Sequence, residues 1–162
     1  MPDALTVIIR VISEHHAIKK HVKLAGDTVN DIEAFFTVQG TQSGWSQTSV
    51  TALTEKQGQL LRAVSFLEQG LKNHFSFEEE ALPSLFGELL MKAILHEHRE
   101  ILGQIESAKT TLANINLEGL DQRELLSKRS VIQQNINNLY QTVEGHLQHE
   151  EIVLNMVKKA LS

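Results

Sequence analysis

The sequence predicts an all-α protein, an up-down-up-down four-helix bundle, and three observations carry that prediction. Apolar residues recur at steps of three and four along most of the chain, which is the spacing of one helical face. Only two prolines occur, Pro2 and Pro83, so long helices can run unbroken. Polar, glycine-bearing segments interrupt the pattern and leave four long stretches between them. Short or moderate connections between such stretches favour antiparallel neighbours. The 162 residues suit one domain over 1–162, and a hydrophobic content of 41% is enough to build its core.

The first helix is expected from about Asp3 to Val38, with Leu5, Ile8, Ile12, Val22, Ala25, Val29, Ile32 and Phe36 on its apolar stripe. The segment QGTQSGWSQTS, residues 39–49, is rich in Gly, Ser and Thr and reads as a loop. The second helix follows to about Leu82, with Leu53, Leu60, Val64, Leu67 and Leu71 on its stripe, and Pro83 and Gly87 mark a turn. The third runs from about Glu88 to Ala113. NINLEGLD is the next loop, and the fourth helix runs from about Gln122 to Ala160. Phe66, Phe75, Phe77, Phe86 and Trp45 read as core or loop anchors, and Tyr140 as a packing residue.

Composition excludes several classes of function. A formal charge of −5, with no run of lysines or arginines, argues against a nucleic-acid or anionic-membrane binder. The absence of cysteine removes disulfides, thiolate metal sites and a thiol nucleophile together. No apolar run approaches the roughly 20 residues needed to span a bilayer. The apolar start LTVIIRVI is broken by Arg10, preceded by Asp3 and followed by no cleavage-like site. The expectation is a soluble, cytoplasmic protein without a leader.

Histidine is the unusual component. The chain has eight, most of them clustered: His15, His16 and His21; His96 and His98; His146 and His149; with His74 ahead of a glutamate run. On the first helix the core positions run Ile8, Ile12, His15, Val22; on the second, Leu67, Leu71, His74, Glu78, Ala81. On the third they run Met91, Ile94, His98, Ile101, Ile105, Ala108, Leu112; on the fourth, Leu139, Val143, His146, Glu150, Val153, Val157. Each helix thus offers one histidine to the core, and helices 2 and 4 each add a glutamate one turn later. A buried carboxylate without a partner costs several kcal/mol. Two of them among four histidines call for something cationic between them, which a metal cluster supplies and protonated histidines supply less completely. The four histidines also fall at a similar height in antiparallel helices, at about 1.5 Å rise per residue. His16, His21 and His96 read as surface residues. His149 reads as surface too, although three residues from His146 it is within reach of the site. Glu14, Glu79, Glu97 and Glu151 read as solvated, or as carboxylates that orient a ligating histidine beside them.

The two halves of the chain repeat. Glu14-His15-x-x-Ile18 and His74-x-x-x-Glu78-Glu79 in the first match Glu97-His98-x-x-Ile101 and His146-x-x-x-Glu150-Glu151 in the second. Nitrogen and oxygen donors without thiolate suit iron or manganese, and zinc less distinctively. Through these four motifs, in order and in register, nearly the whole chain resembles the hemerythrin-like proteins with HHE cation-binding repeats. The resemblance implies a four-helix bundle around two iron ions, oxo- or hydroxo-bridged. It implies His15, His74, Glu78, His98, His146 and Glu150 as ligands, with the two glutamates bridging. Oxygen-carrying members are expected to have a fifth histidine one turn from His98, where this chain has Ile94 and Leu102, and HxxxxD rather than HxxxE on the last helix. That departure points away from simple oxygen carriage and toward open coordination. The leading expectation is a centre that binds or senses oxygen or nitric oxide, with a protein partner for any signalling. Redox turnover of peroxide or nitric oxide, iron storage or a structural metal role, and a metal-free interaction protein are the alternatives.

Overall fold

The computed structural model describes residues 3–40, 47–116 and 122–162. Among them are four helices and no strand: α1 (Ala4–Gly40), α2 (Gln47–Ala81), α3 (Pro83–Asn114) and α4 (Gln122–Ala160). Each helix packs on its neighbours in the chain, and α4 closes the ring on α1. Ion pairs fix the directions. Glu79 of α2 meets His98 of α3, whereas Glu68, earlier on α2, meets Lys109, later on α3. The protein is therefore an all-α four-helix bundle, as the periodicity predicts. No helix among the described residues is long and apolar enough to cross a membrane.

The helix ends have local causes. The Asp3 carboxylate accepts from the Thr6 amide at 2.8 Å, the geometry of an N-terminal cap. Between α2 and α3 the Leu82 amide donates to the Glu78 carbonyl, and the Leu85 and Phe86 amides donate to the Leu82 carbonyl. Leu82 is fully buried, so the corner is pinned from inside. Pro83 opens α3, where a missing N–H costs nothing. The helix is interrupted at Gly87 (φ 78°, ψ 169°), a conformation open to glycine and closed to other residues. The uninterrupted part of α3 thus begins at Glu88, the predicted start. At its other end, the buried Gln57 side chain donates to the carbonyls of Leu112 and Ile115. Those are among the carbonyls a helix end leaves without partners.

The predicted loop over 39–49 is shorter than expected: α1 takes Gln39 and Gly40, and α2 takes Gln47, Thr48 and Ser49. Trp45 lies outside the described residues, as do the side chains of Val29, Ile32 and Phe36.

Two apolar clusters fill the bundle. The larger holds Ile18, Val22, Leu60, Leu67, Leu71, Phe75, Ile101, Ile105, Val143 and Leu147 among others. The smaller, toward the α2–α3 corner, holds Val7, Ile8, Val11, Leu82, Met91, Ile94 and Leu154. Between them lies a layer of buried polar side chains.

On α3 the predicted stripe, Met91 through Leu112 with His98 in it, is buried throughout. On α1 it needs correction. Leu5 is exposed and Ile12 half-buried, while Val7, Val11 and Ile18 are buried. The observed core order Ile8, Val11, His15, Ile18, Val22, Ala25 alternates steps of three and four, the seam of closely paired helices. On α4 the half-buried Val153 and Val157 yield to Leu147 and Leu154. Phe75 is buried and Phe77 and Phe86 half-buried, but Phe66 is 64% exposed and anchors nothing in the core; Tyr140 is 41% exposed at the α4 surface.

Candidate metal centre

The polar layer consists of the six residues singled out by register. His15 comes from α1, His74 and Glu78 from α2, His98 from α3, and His146 and Glu150 from α4; none is more than 3% exposed. They are buried because each occupies a core position of its helix, one or two turns from fully buried aliphatic neighbours such as Ile8, Leu71, Ile101 and Val143. The i, i+4 spacing puts His74 against Glu78 on α2, and His146 against Glu150 on α4. Between helices, His15 Nε2 lies 3.3 Å from Glu78 Oε1 and 3.8 Å from Glu150 Oε1. His98 Nε2 lies 3.0 Å from Glu78 Oε2.

The donors fall into two groups, each with all its ligand atoms within 4.8 Å of one another. One is His15, His74, Glu78 and Glu150; the other is His98, His146, Glu78 and Glu150. Each helical hairpin supplies the histidines of one group, and both carboxylates belong to both groups. The histidine rings repeat the symmetry. His15 meets His74 edge-on at 4.9 Å between centroids, and His98 meets His146 likewise at 4.8 Å. Phe75 breaks it, stacking flat on His98 at 3.8 Å.

A ring of four further carboxylates surrounds this layer. Glu14 of α1 faces His74 of α2, and Glu79 of α2 faces His98 of α3. Glu97 of α3 faces His146 of α4, and Glu151 of α4 faces His15 of α1. The distances from imidazole Nδ1 run from 3.0 to 3.4 Å. By sequence these glutamates read as solvated or as orienting a histidine beside them; in the fold each faces a histidine of the adjacent helix. The signal was present in the sequence, since every one of the four directly flanks a layer residue. His149 does not join either donor group. It is 71% exposed, with Nδ1 2.9 Å from Glu97. His16 and His96 are exposed and His21 half-buried, away from the cluster.

The ring fixes the tautomers. A carboxylate only accepts, so each Nδ1 carries the proton and donates it outward. In the neutral ring, Nε2 then turns a lone pair toward the centre. There it meets carboxylate oxygens, which also carry only lone pairs. Accordingly His74 Nε2, His98 Nε2, His146 Nε2, Glu78 Oε2 and both oxygens of Glu150 are buried with no hydrogen-bond partner. Protons or cations must lie between them. Burial pushes His74 and His146 down, but Glu78 and Glu150 beside them reverse this and hold both imidazoles above their ordinary range. Burial alone raises the Glu78 carboxyl, yet His15, His74 and His98 hold it below the usual range. Glu150 goes the other way, raised by burial and by the neighbouring Glu78 charge. Two carboxylates this close do not both ionise unless positive charge sits between them. The donor set fits such a charge: imidazole nitrogen and carboxylate oxygen, converging, buried and unsatisfied.

Comparison with known proteins bears directly on this geometry. A family model of the hemerythrin HHE cation-binding domain matches residues 6–151. The chain belongs to the hemerythrin HHE cation-binding family. The matched region contains all six layer residues and all four outer carboxylates, and the family is one of cation-binding domains. The comparisons with curated proteins and with solved structures return no match.

Proposed function

We propose that this hemerythrin-family chain is a non-haem di-iron protein whose centre binds or senses oxygen or nitric oxide. His15 and His74 would hold one ion and His98 and His146 the other, with the Glu78 and Glu150 carboxylates shared between them. The single observation that carries this reading is the sharing of both buried carboxylates by two donor groups, which supports a pair of ions. Two imidazoles and two carboxylates per ion leave positions free for a small ligand. A di-iron pair held there would supply binding of diatomic molecules and one-electron chemistry.

The protein's own contribution is positional. The outer carboxylates hold each imidazole in one tautomer, and the apolar clusters on either side exclude bulk water from the layer. The reading includes a cytoplasmic setting, which a chain without cysteine tolerates, and a protein partner to carry any signal onward. The test is anaerobic purification with metal analysis, then titration with air and with nitric oxide. About two irons per chain and a change in the visible spectrum are expected. Two irons and an unchanged spectrum leave a metal role confined to stability, the reading that the complete burial of the six ligands also favours.

A further inference from the structure

The two donor groups are alike in the layer and unlike around it. Behind His15 stands Glu151, which is paired with Lys19 at 3.1 Å. Behind His74 stands Glu14, which is paired with Arg10 at 2.8 Å. Arg10 is itself held, its guanidinium 3.6 Å above the Phe77 ring. Around the His15–His74 group the two outer negative charges are therefore matched by two permanent cations. Behind His98 stands Glu79, and behind His146 stands Glu97. Among the described residues neither is paired with a lysine or arginine; the second partner of Glu97 is the imidazole of His149. The outer carboxylates are thus matched by permanent cations on one side of the layer and not on the other.

A second observation falls on the same side. Of the cavities described, two touch the six layer residues, and both open on the seam between α3 and α4. One, of about 190 Å³, is lined by Leu90, Ala93, Ile94 and Val153 and by Glu150, which belongs to both donor groups. The other, of about 260 Å³, reaches His146 beside Gly145. The Glu97–His149 pair stands between them and lines both. The clefts beside Arg10 and beside Lys19 touch no layer residue.

We infer that the two metal positions are inequivalent: the one between His98 and His146 holds its ion more tightly and is the one that small neutral ligands reach, through the α3–α4 seam. The ligand half rests on the proposed function; the inequality of the positions does not. A cation is attracted by uncompensated outer carboxylates and repelled by Arg10 and Lys19. These cations are partly exposed and screened, so the expected preference is about fivefold rather than absolute.

Zinc, which is diamagnetic, reads the order of filling without any activity. One equivalent added to metal-free protein labelled with nitrogen-15 in its imidazoles is expected to shift His98 and His146 at least about threefold more than His15 and His74. If the metal-free protein does not stay folded, stepwise chelation of the zinc-loaded protein gives the same order in reverse. A double variant Arg10→Gln, Lys19→Gln is expected to bring the four imidazoles toward parity. Equal shifts of all four in the unaltered protein, or filling of the His15–His74 position first, overturn the inequality.

For the ligand half, nitric oxide is the probe, added to iron-loaded protein in anaerobic stopped flow. Ala93→Leu, which narrows the apolar slot, is expected to slow nitric oxide binding about tenfold with iron content unchanged. An unchanged rate overturns the seam as the route. Failure of the unaltered iron-loaded protein to bind oxygen or nitric oxide at all overturns the ligand half together with the proposed function, and the zinc order still decides the rest.

Discussion

Glu78 does two jobs that no single histidine does. It belongs to both donor groups and makes close approaches to His15, His74 and His98. His74 belongs to one group only. Removing each should therefore have different arithmetic. His74→Ala is expected to lower metal content from about two ions per chain toward one, while Glu78→Ala depletes both. Metal analysis of the purified variants decides it, and equal losses would contradict a shared carboxylate. The outer ring makes a subtler prediction. Glu79 is 42% exposed and contributes little to packing, but it holds the proton on His98 Nδ1. Glu79→Gln is expected to weaken metal binding by about 10–100-fold with the melting of the metal-free protein nearly unchanged. A competition titration against a chelator measures the first, and thermal melts check the second. These residues differ in how far sequence reveals them. The six layer residues show because each is a polar side chain interrupting an apolar stripe. The outer ring is harder to read: which neighbouring histidine a glutamate faces depends on how two helices are rotated against each other, and no local pattern states that.

At the scale of the elements, legibility follows the number of apolar alternatives. On α3 a single run of residues can form the face, and the predicted stripe is the buried one. On α1, Val11 and Ile12 are adjacent and equally apolar. Both join Ile8 to His15 by steps of three and four, and only the regular alternation continued through Ile18, Val22 and Ala25 selects Val11. Phe66 shows the converse error, since an aromatic residue on a long helix can stand on the solvent face without penalty to the core. Phe75 sits where the apolar cluster meets the polar layer, 2% exposed and flat against His98. The α2–α3 corner is the element on which the layer depends most. Gly87 separates the Pro83 turn from the part of α3 that carries His98, and its backbone is accessible to glycine alone. Gly87→Ala meets no neighbouring atom, so its cost is conformational: about 1–3 kcal/mol. Urea unfolding of the metal-loaded variant should show that loss, and an unchanged midpoint would mean the corner relaxes without α3 shifting.

For the molecule as a whole, the proposed function sets a metal ion and the proton in competition for one layer. Without a cation, the fold holds the imidazoles of His74 and His146 above their ordinary range through Glu78 and Glu150. A group whose value is raised on folding stabilises the fold fully below its unfolded value, near 6.5 for histidine, and loses that contribution as pH rises through the folded value. Glu150, also raised, acts in the same direction. Glu78 is lowered, so its contribution is complete well above the ordinary carboxylate range and fades only as pH falls toward acid. Across neutral pH the histidine contribution therefore dominates the change, and metal-free protein becomes less stable as pH rises past about 6.5. Metal binding needs neutral imidazoles and ionised carboxylates, so it strengthens over the same range. The two trends add. The gap in melting temperature between metal-loaded and chelator-treated protein is expected to widen from pH 6 to pH 8.5. A gap that stays constant would place the ion somewhere other than among these histidines, because a site made of carboxylates alone does not titrate there. His74→Ala provides the control: with one of the two raised imidazoles gone, the metal-free melting temperature should depend less steeply on pH in the same interval.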